Sequence, residues 1–190
     1  MRDLWVFGYG SLMWRPGFSY EEAVPALLHG AHRSLCVYSW VHRGTRERPG
    51  LVLGLDRGGA CKGMAFRVAA RNRDDVIAYL REREQVTMIY KEATRALRLE
   101  DGFATRTQAL TFLVDREHDQ YAGVLPRENL LHVVKEAQGQ SGANPEYVIN
   151  TANHLDELGI HDPVLSWLAR ELSAPATNGR DDGNGPQAQP

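Results

Sequence analysis

An α+β fold, a small closed or nearly closed β-sheet with helices packed against its outside or one end, follows from three features of this 190-residue chain. Short β-type apolar runs fill the N-terminal two thirds. A single helix-like pattern, Arg73–Glu84, interrupts them, and three helical segments punctuated by Pro and Gly close the chain. There is no internal repeat and no linker long enough to divide the core, so residues 1–172 are expected to form one domain.

The first run is Leu4–Tyr9. Ala23–His32 contains Pro25, which argues against a helix, and reads as extended chain broken near Gly30. Leu35–Trp40 continues the β character. Leu51–Leu55 and Cys61–Val68 are parted by Asp56-Arg57-Gly58-Gly59, a hairpin signal. Ile89–Leu99 and Thr105–Val114 are parted by Glu100-Asp101-Gly102, a second one. Asn72, with Asp75 three residues on, resembles a capping box opening the Arg73–Glu84 helix. Pro126 at a first helical position opens a helix running to about Gln138, with Gly139 after it. Asn144-Pro145 starts the next helix, which Gly159 ends, and Asp162-Pro163 starts the last, reaching Leu172. Residues 173–190 are rich in Ala, Pro, Asn, Gly, Asp and Gln, and cannot bury enough surface to order themselves.

Apolar content of 43% and charged content of 24% are ordinary for a globular domain. A net charge of −2 gives no electrostatic case for nucleic acid or an anionic membrane as partner. No stretch approaches the ~20 apolar residues that span a bilayer, and Met1-Arg2-Asp3-Leu4-Trp5 is not a signal-peptide run. Cys36 and Cys61 lie in separate strand-like segments and read as reduced thiols, which makes the cytoplasm the expected compartment.

The chemistry-bearing segment is Val6-Phe7-Gly8-Tyr9-Gly10-Ser11-Leu12, a strand stopping in two glycines around a tyrosine. Glycine tolerates positive φ and lets the main chain approach a ligand, and clustered backbone N–H groups suit a carboxylate or a developing oxyanion. The same residues would serve equally as an ordinary turn. A dinucleotide fingerprint needs a third glycine where Met13 stands, and a nucleophile elbow needs Gly-x-Ser-x-Gly.

On the Arg73–Glu84 helix, Val76, Ile77, Tyr79 and Leu80 share one side, while Asp74, Asp75, Arg81 and Glu82 face away. Glu84 lies four residues beyond Leu80, at the end of the apolar stripe, with Arg83 also on the inner side. Burial there would raise its pKa, as a general acid/base working near neutrality requires. Fraying of the helix end, with Glu84 paired to Arg83 or Arg81, is the structural alternative. His29 and His32, three apart on a strand, make a poor metal pair, and no metal-binding spacing or Walker loop occurs. The basic segment His42–Arg48 reads as a solvated loop, or as one that meets an anionic substrate. Tyr147, early in a helix, reads as packing.

Taken in order, Phe7-Gly8-Tyr9-Gly10-Ser11-Leu12, Val41-His42-Arg43-Gly44, Gly63-Met64-Ala65-Phe66-Arg67, Tyr79-Leu80-x-x-Arg83-Glu84 and Asn144-Pro145-Glu146-Tyr147 resemble the ChaC-like γ-glutamylcyclotransferases, over roughly residues 4 to 172. The resemblance implies a small mixed β-barrel with surrounding helices. It implies an enzyme that cleaves reduced glutathione into 5-oxoproline and cysteinylglycine, as a monomer, without metal or cofactor. The substrate loop becomes Val6, Phe7, Gly8, Tyr9, Gly10 and Ser11, adjoined by Leu12, and the catalytic residue becomes Glu84. Arg33 and Tyr147 are implied near the substrate. Two departures stand out: Gln85-Val86-Thr87-Met88, where many relatives have a basic residue and a glycine pair, and Met13 in place of isoleucine. Other γ-glutamyl amides or amino acids as substrate, a non-catalytic γ-glutamyl-binding regulator, and a serine hydrolase using Ser11 are the alternatives.

Overall fold

The computed structural model of the chain describes residues 2–84 and 88–174. Five strands, β1 (Leu4–Gly8), β2 (Glu22–Ser39), β3 (Gly50–Val68), β4 (Tyr90–Leu99) and β5 (Arg106–Val114), close into a barrel in the order β1-β3-β2-β4-β5. The ladders are antiparallel except where β5 meets β1, in parallel, with Val6 opposite Leu110. The barrel is therefore mixed.

Two long strands replace four short runs. Ala23–His32 and Leu35–Trp40 belong to one strand, β2, whose ladder with β3 slips at Gly30 and again between Leu35 and Val37. Pro25 sits within it at no cost to that ladder, because its carbonyl points the other way and accepts from the Glu100 N–H at 2.7 Å. The expected hairpin at Asp56–Gly59 is absent: β3 runs straight through it. Gly30 (φ 86°), Gly58 (φ 96°) and Gly59 (φ 72°) lie opposite one another, and positive φ bends both strands around the barrel wall. Glycine pairs signal a reversal or a bulge with the same chemistry, and here long-range pairing selects the bulge. The true hairpin joins β2 to β3 through residues 40–49. The β4–β5 hairpin forms as expected, with Gly102 at φ 82°.

The helices are α1 (Arg73–Glu84), α2 (Arg127–Glu136), α3 (Asn144–Glu157) and α4 (Pro163–Ser173). α1 has its expected bounds but not its expected cap. A 3-10 turn over Ala70–Asn72 leads into it, and Asp3 Oδ1 accepts from the Ala70 N–H at 3.0 Å, while Asn72 makes no side-chain hydrogen bond among the described residues. α2 stops short of Gln138 because Ala137 is extended and Gln138–Gly139 (β6) pairs with Gly142–Ala143 (β7). Pro126 takes the capping position rather than the first helical one. Asp162 caps α4, its Oδ1 accepting from the Val164 and Leu165 N–H groups, each at 3.1 Å. Residues 175–190 of the expected tail lie outside the described residues.

α1 docks on the barrel through Val76 and Leu80, buried against Leu4, Val6, Val68, Leu110 and Phe112. Each such side chain contributes about 1.5–3 kcal/mol on burial. The contact fixes where the helix ends, and so where Glu84 stands. Phe7, on the opposite face of β1 from Val6, joins the larger core shared by the barrel and α2, α3 and α4.

Candidate active site

β1 pairs with β3 only at Met64–Val68, so the first half of β3 has a bare edge on that side. Side chains satisfy it instead. Asn144, fully buried, accepts from the Leu51 N–H at 2.7 Å and donates to the Leu51 carbonyl at 2.8 Å. Two residues on, the Leu53 N–H donates to the Tyr147 hydroxyl at 3.1 Å, and the Tyr90 hydroxyl donates to the Leu53 carbonyl at 2.7 Å. Buried backbone groups need such partners, and phenols and an amide supply them without filling the space as a strand would. What remains is a cavity of about 460 Å³, walled by the segment after β1, the 40–49 loop, the end of α1, and α3.

The segment after β1 turns through a short 3-10 helix, Ser11–Met13, with the Met13 N–H donating to the Gly10 carbonyl at 2.9 Å and the Arg15 N–H to the Ser11 carbonyl at 2.8 Å. The N–H groups of Gly10, Ser11 and Leu12 donate to no described carbonyl, and these three residues line the cavity. The glycines act differently from expectation. Neither Gly8 nor Gly10 has positive φ. Gly8 is tightly packed, since a Cβ there would sit 3.0 Å from Leu12 Cβ and 3.3 Å from Met13 N, whereas at Gly10 a Cβ would meet only Leu53 Cδ1, at 3.6 Å. Gly8 lets the turn fold back; Gly10 keeps the wall thin.

Glu84 ends α1 and is the one carboxylate lining the cavity among the described residues. Its side chain is 18% exposed, with Arg83 Nε 3.3 Å from Oε1. Burial pushes the carboxyl above the ordinary glutamate value, and Arg83 only partly opposes this. Arg83 ties the helix end to the loop: Nη1 donates to the carbonyls of Arg15 (2.7 Å) and Pro16 (3.2 Å) and to the Tyr79 hydroxyl (3.0 Å), and Nη2 donates to Ser11 Oγ (3.0 Å). A guanidinium cannot take a proton, and among the described residues no histidine or carboxylate hydrogen-bonds Ser11 Oγ, which counts against the serine-nucleophile alternative. Tyr9, Tyr90 and Tyr147 also line the cavity, and burial holds each phenol above its ordinary value, hence neutral and able to donate.

The structure brings Tyr9, Gly10, Ser11, Leu12, Glu84 and Tyr147 together around this space. It does not place Val6, Phe7, Gly8 or Arg33 there. Val6 and Phe7 are buried on the two faces of β1 and serve the core. Arg33, its side chain 5% exposed, stands behind the loop: Nε donates to the Tyr9 carbonyl at 2.5 Å and Nη2 to the Lys62 carbonyl at 2.7 Å, with Asp162 Oδ2 4.0 Å from Nη1. It braces the loop rather than facing the cavity. Residue-level reading missed Tyr90 and Asn150, and His154, stacked on Trp14 at 4.6 Å between centroids. Of the basic segment, His42 and Arg43 turn inward, as its second reading allows. Among the described residues no three His, Cys, Asp or Glu side chains converge to hold a metal, and no helix is long and apolar enough to cross a membrane.

A largely buried carboxylate of raised pKa, on a cavity also lined by a turn whose backbone N–H groups have no described carbonyl partner, can move a proton beside a site that holds an anion or oxyanion. Comparison with known proteins gives this arrangement a context. The family model described as ChaC-like protein matches residues 4–174. The glutathione-specific γ-glutamylcyclotransferase of Escherichia coli strain K12 is 32% identical over 87% of this chain and 71% of its own. The glutathione-specific γ-glutamylcyclotransferase 1 of Danio rerio is 33% identical over 90% of each. A crystal structure of a yeast γ-glutamyl cyclotransferase specific to glutathione superposes with a TM-score of 0.80 at 21% identity, covering 90% of this chain and 96% of that one, and so shares the fold.

Proposed function

Because this chain belongs to the ChaC-like protein family, we propose that it is a glutathione-specific γ-glutamylcyclotransferase in which Glu84 carries the proton. The reaction is internal to the substrate. The glutamyl α-amine attacks the γ-carbonyl carbon, a new C–N bond closes the five-membered 5-oxoproline ring, and the bond to the cysteinyl nitrogen breaks. Counted from the α-ammonium, the attacking nitrogen gives up two protons, one before attack and one as the lactam forms, and the leaving nitrogen takes up two as it departs and becomes an ammonium, so the balance needs neither water nor an added nucleophile. Intramolecular reactants held in place reach effective molarities of roughly 10⁵ M or more, which makes positioning the main task of the protein.

The observation that supports this reading is that Glu84, a largely buried carboxylate, lines the same cavity as Gly10, Ser11 and Leu12. As the carboxylate it accepts a proton from the attacking nitrogen, and as the acid it gives a proton to the departing amine, while the second proton of each nitrogen exchanges with solvent. The loop amides hold the glutamyl end, and neutral Tyr9, Tyr90 and Tyr147 exclude water from it. The free thiols Cys36 and Cys61 fit a reducing, cytoplasmic setting.

The test is incubation of the purified protein with reduced glutathione, without added metal, and mass spectrometry of the products. Equimolar 5-oxoproline and cysteinylglycine are expected. Free glutamate would mean hydrolysis, and turnover of γ-glutamyl-alanine in preference to glutathione would reject the glutathione assignment. Binding without turnover would favour the regulatory alternative, for which an inward Glu84 has no use.

A further inference from the structure

We propose that Arg43 is a specificity-determining residue of this site, binding the C-terminal carboxylate of glutathione and so selecting the tripeptide over γ-glutamyl amino acids. The inference rests on the reading of the cavity as a γ-glutamyl site, and it concerns the wall that the 40–49 loop supplies.

The backbone carrying Arg43 is fixed. The Arg43 N–H donates to Ser39 Oγ at 3.0 Å, and the flanking carbonyls of Val41 and His42 accept from the Gln140 and Ser141 N–H groups at 2.8 and 2.9 Å. Gly139 allows this close approach, since a Cβ there would lie 2.5 Å from the Val41 oxygen. The guanidinium stands 5.4 Å from the centroid of the Tyr147 ring and makes one long hydrogen bond, Nη1 to the Ala143 carbonyl at 3.3 Å. Of its five N–H donors, the rest meet no acceptor among the described residues. Arg33, Arg67, Arg81, Arg83 and Arg116 each have a carboxylate within 4.0 Å, but Arg43 has none among the described residues. It is a half-buried, pre-placed cation on the cavity wall, with its fork open to an anion.

The substrate supplies that anion in the right place. Glutathione has two carboxylates. The glutamyl one adjoins the reacting amine and is confined to the Glu84 end. The glycyl one lies two residues past the scissile bond, about 7 Å along an extended chain, while in a γ-glutamyl amino acid the terminal carboxylate is about 3.5 Å nearer. A rigid arginine across a cavity of about 460 Å³ measures that difference. Arg43 thus acts on which peptide enters, not on the bond that breaks.

The experiment compares glutathione, its glycyl monoethyl ester and γ-glutamylcysteine with the wild type, Arg43→Ala and Arg43→Lys, reading 5-oxoproline. Removing a charge-assisted, two-pronged hydrogen bond lowers affinity by about 10–100-fold. The wild type should therefore prefer glutathione to its ester by that factor, mainly in KM. Arg43→Ala should raise KM for glutathione by about the same factor more than for the ester, and Arg43→Lys should recover part of the preference. Equal loss toward glutathione and ester, or an unchanged preference in Arg43→Ala, overturns the assignment. If the wild type makes no 5-oxoproline at all, the cyclotransferase reading fails separately. Calorimetric binding of glutathione and its ester to wild type and Arg43→Ala then decides the same question: a carboxylate-dependent difference that disappears in the variant supports it, and no difference refutes it.

Discussion

Replacing Glu84 by Gln removes the proton carrier while changing little else. The carboxylate is 18% exposed, and its one charged neighbour is Arg83 Nε at 3.3 Å. Arg83 keeps its other acceptors, the Arg15 and Pro16 carbonyls, Tyr79 and Ser11, so the loop stays tied to α1 in the variant. General acid–base catalysis is worth about 10²–10⁴-fold, or roughly 3–5 kcal/mol of barrier, and that is the expected fall in kcat, with KM for glutathione little altered. The pH profile adds a second reading. Glu84 must be ionised to accept the ammonium proton, and burial raises its pKa above the ordinary 4.5. Wild-type activity should therefore climb with pH along an acidic limb above the usual carboxylate range, and the residual activity of the Gln variant should lack that limb.

Stability should move the other way. A carboxyl whose folded pKa exceeds its unfolded value of about 4.3 is favoured when protonated; that contribution is complete below the unfolded value and lost as pH rises through the folded one. Ionising this carboxyl costs more in the fold than in water, a cost the amide does not carry. Glu84→Gln should consequently melt at or above the wild-type temperature at pH 7, the gap closing in acid, as expected of a site that trades stability for activity. The assays are 5-oxoproline release and calorimetric melting across pH. Wild-type turnover in the Gln variant, or a lower melting temperature with raised KM, would show Glu84 to be a structural residue and sink the mechanism.

Arg83→Ala cuts the clamp between α1 and the loop and removes the charge that partly opposes the rise in Glu84, so kcat should fall and the acidic limb should move to higher pH; a folded variant with an unmoved limb contradicts the positioning role. Gly8→Ala should lower the melting temperature and impair glutathione binding, because its Cβ would sit 3.0 Å from Leu12 Cβ, while Gly10→Ala should be tolerated by the fold, with 3.6 Å to Leu53 Cδ1; the reverse order would refute the loop geometry. Tyr121→Phe removes a 2.8 Å hydrogen bond to Asp56, which is 1% exposed, and should cost about 1.5–3 kcal/mol by denaturant unfolding. Burial pushes Asp56 up, but Arg116, Tyr121 and the Arg57 N–H together hold it low. This stabilisation exists above the unfolded value of about 3.9 and fades as pH falls through the folded one, so the gap between wild type and Tyr121→Phe should close in acid.

Local chemistry made the helices and the β4–β5 hairpin legible. Proline and Asp162 mark the start of α4, and the apolar stripe of α1 points to Glu84, because helix periodicity needs only near neighbours. The long strands were not legible in the same way. Gly30, Gly58 and Gly59 carry identical turn signals, and only the pairing of β2 with β3 along their whole length turns them into bends. The capping box failed for the same reason: Asp3, far away in sequence, reached the Ala70 N–H in the turn before α1.

The site divides along that line. Glu84 and the Tyr9–Leu12 segment were readable because each carries its own local signal. Tyr90 was not, and Tyr147 read by itself as packing and came to the substrate only through the family resemblance; the work of Tyr90, Asn144 and Tyr147 is to satisfy Leu51 and Leu53, an edge left bare because β1 is five residues long and covers only the far end of β3. Had β1 been longer, its backbone would have paired with that edge and filled the space now open between the loop and α3. The cavity is thus a consequence of unequal strand lengths, and its phenols first satisfy the sheet edge and then form the wall of the site. Mutation of Tyr90 or Tyr147 therefore acts on fold and chemistry together, whereas Glu84 and Arg43, which the sheet edge does not need, are the positions where chemistry and selection can be altered with the barrel left standing.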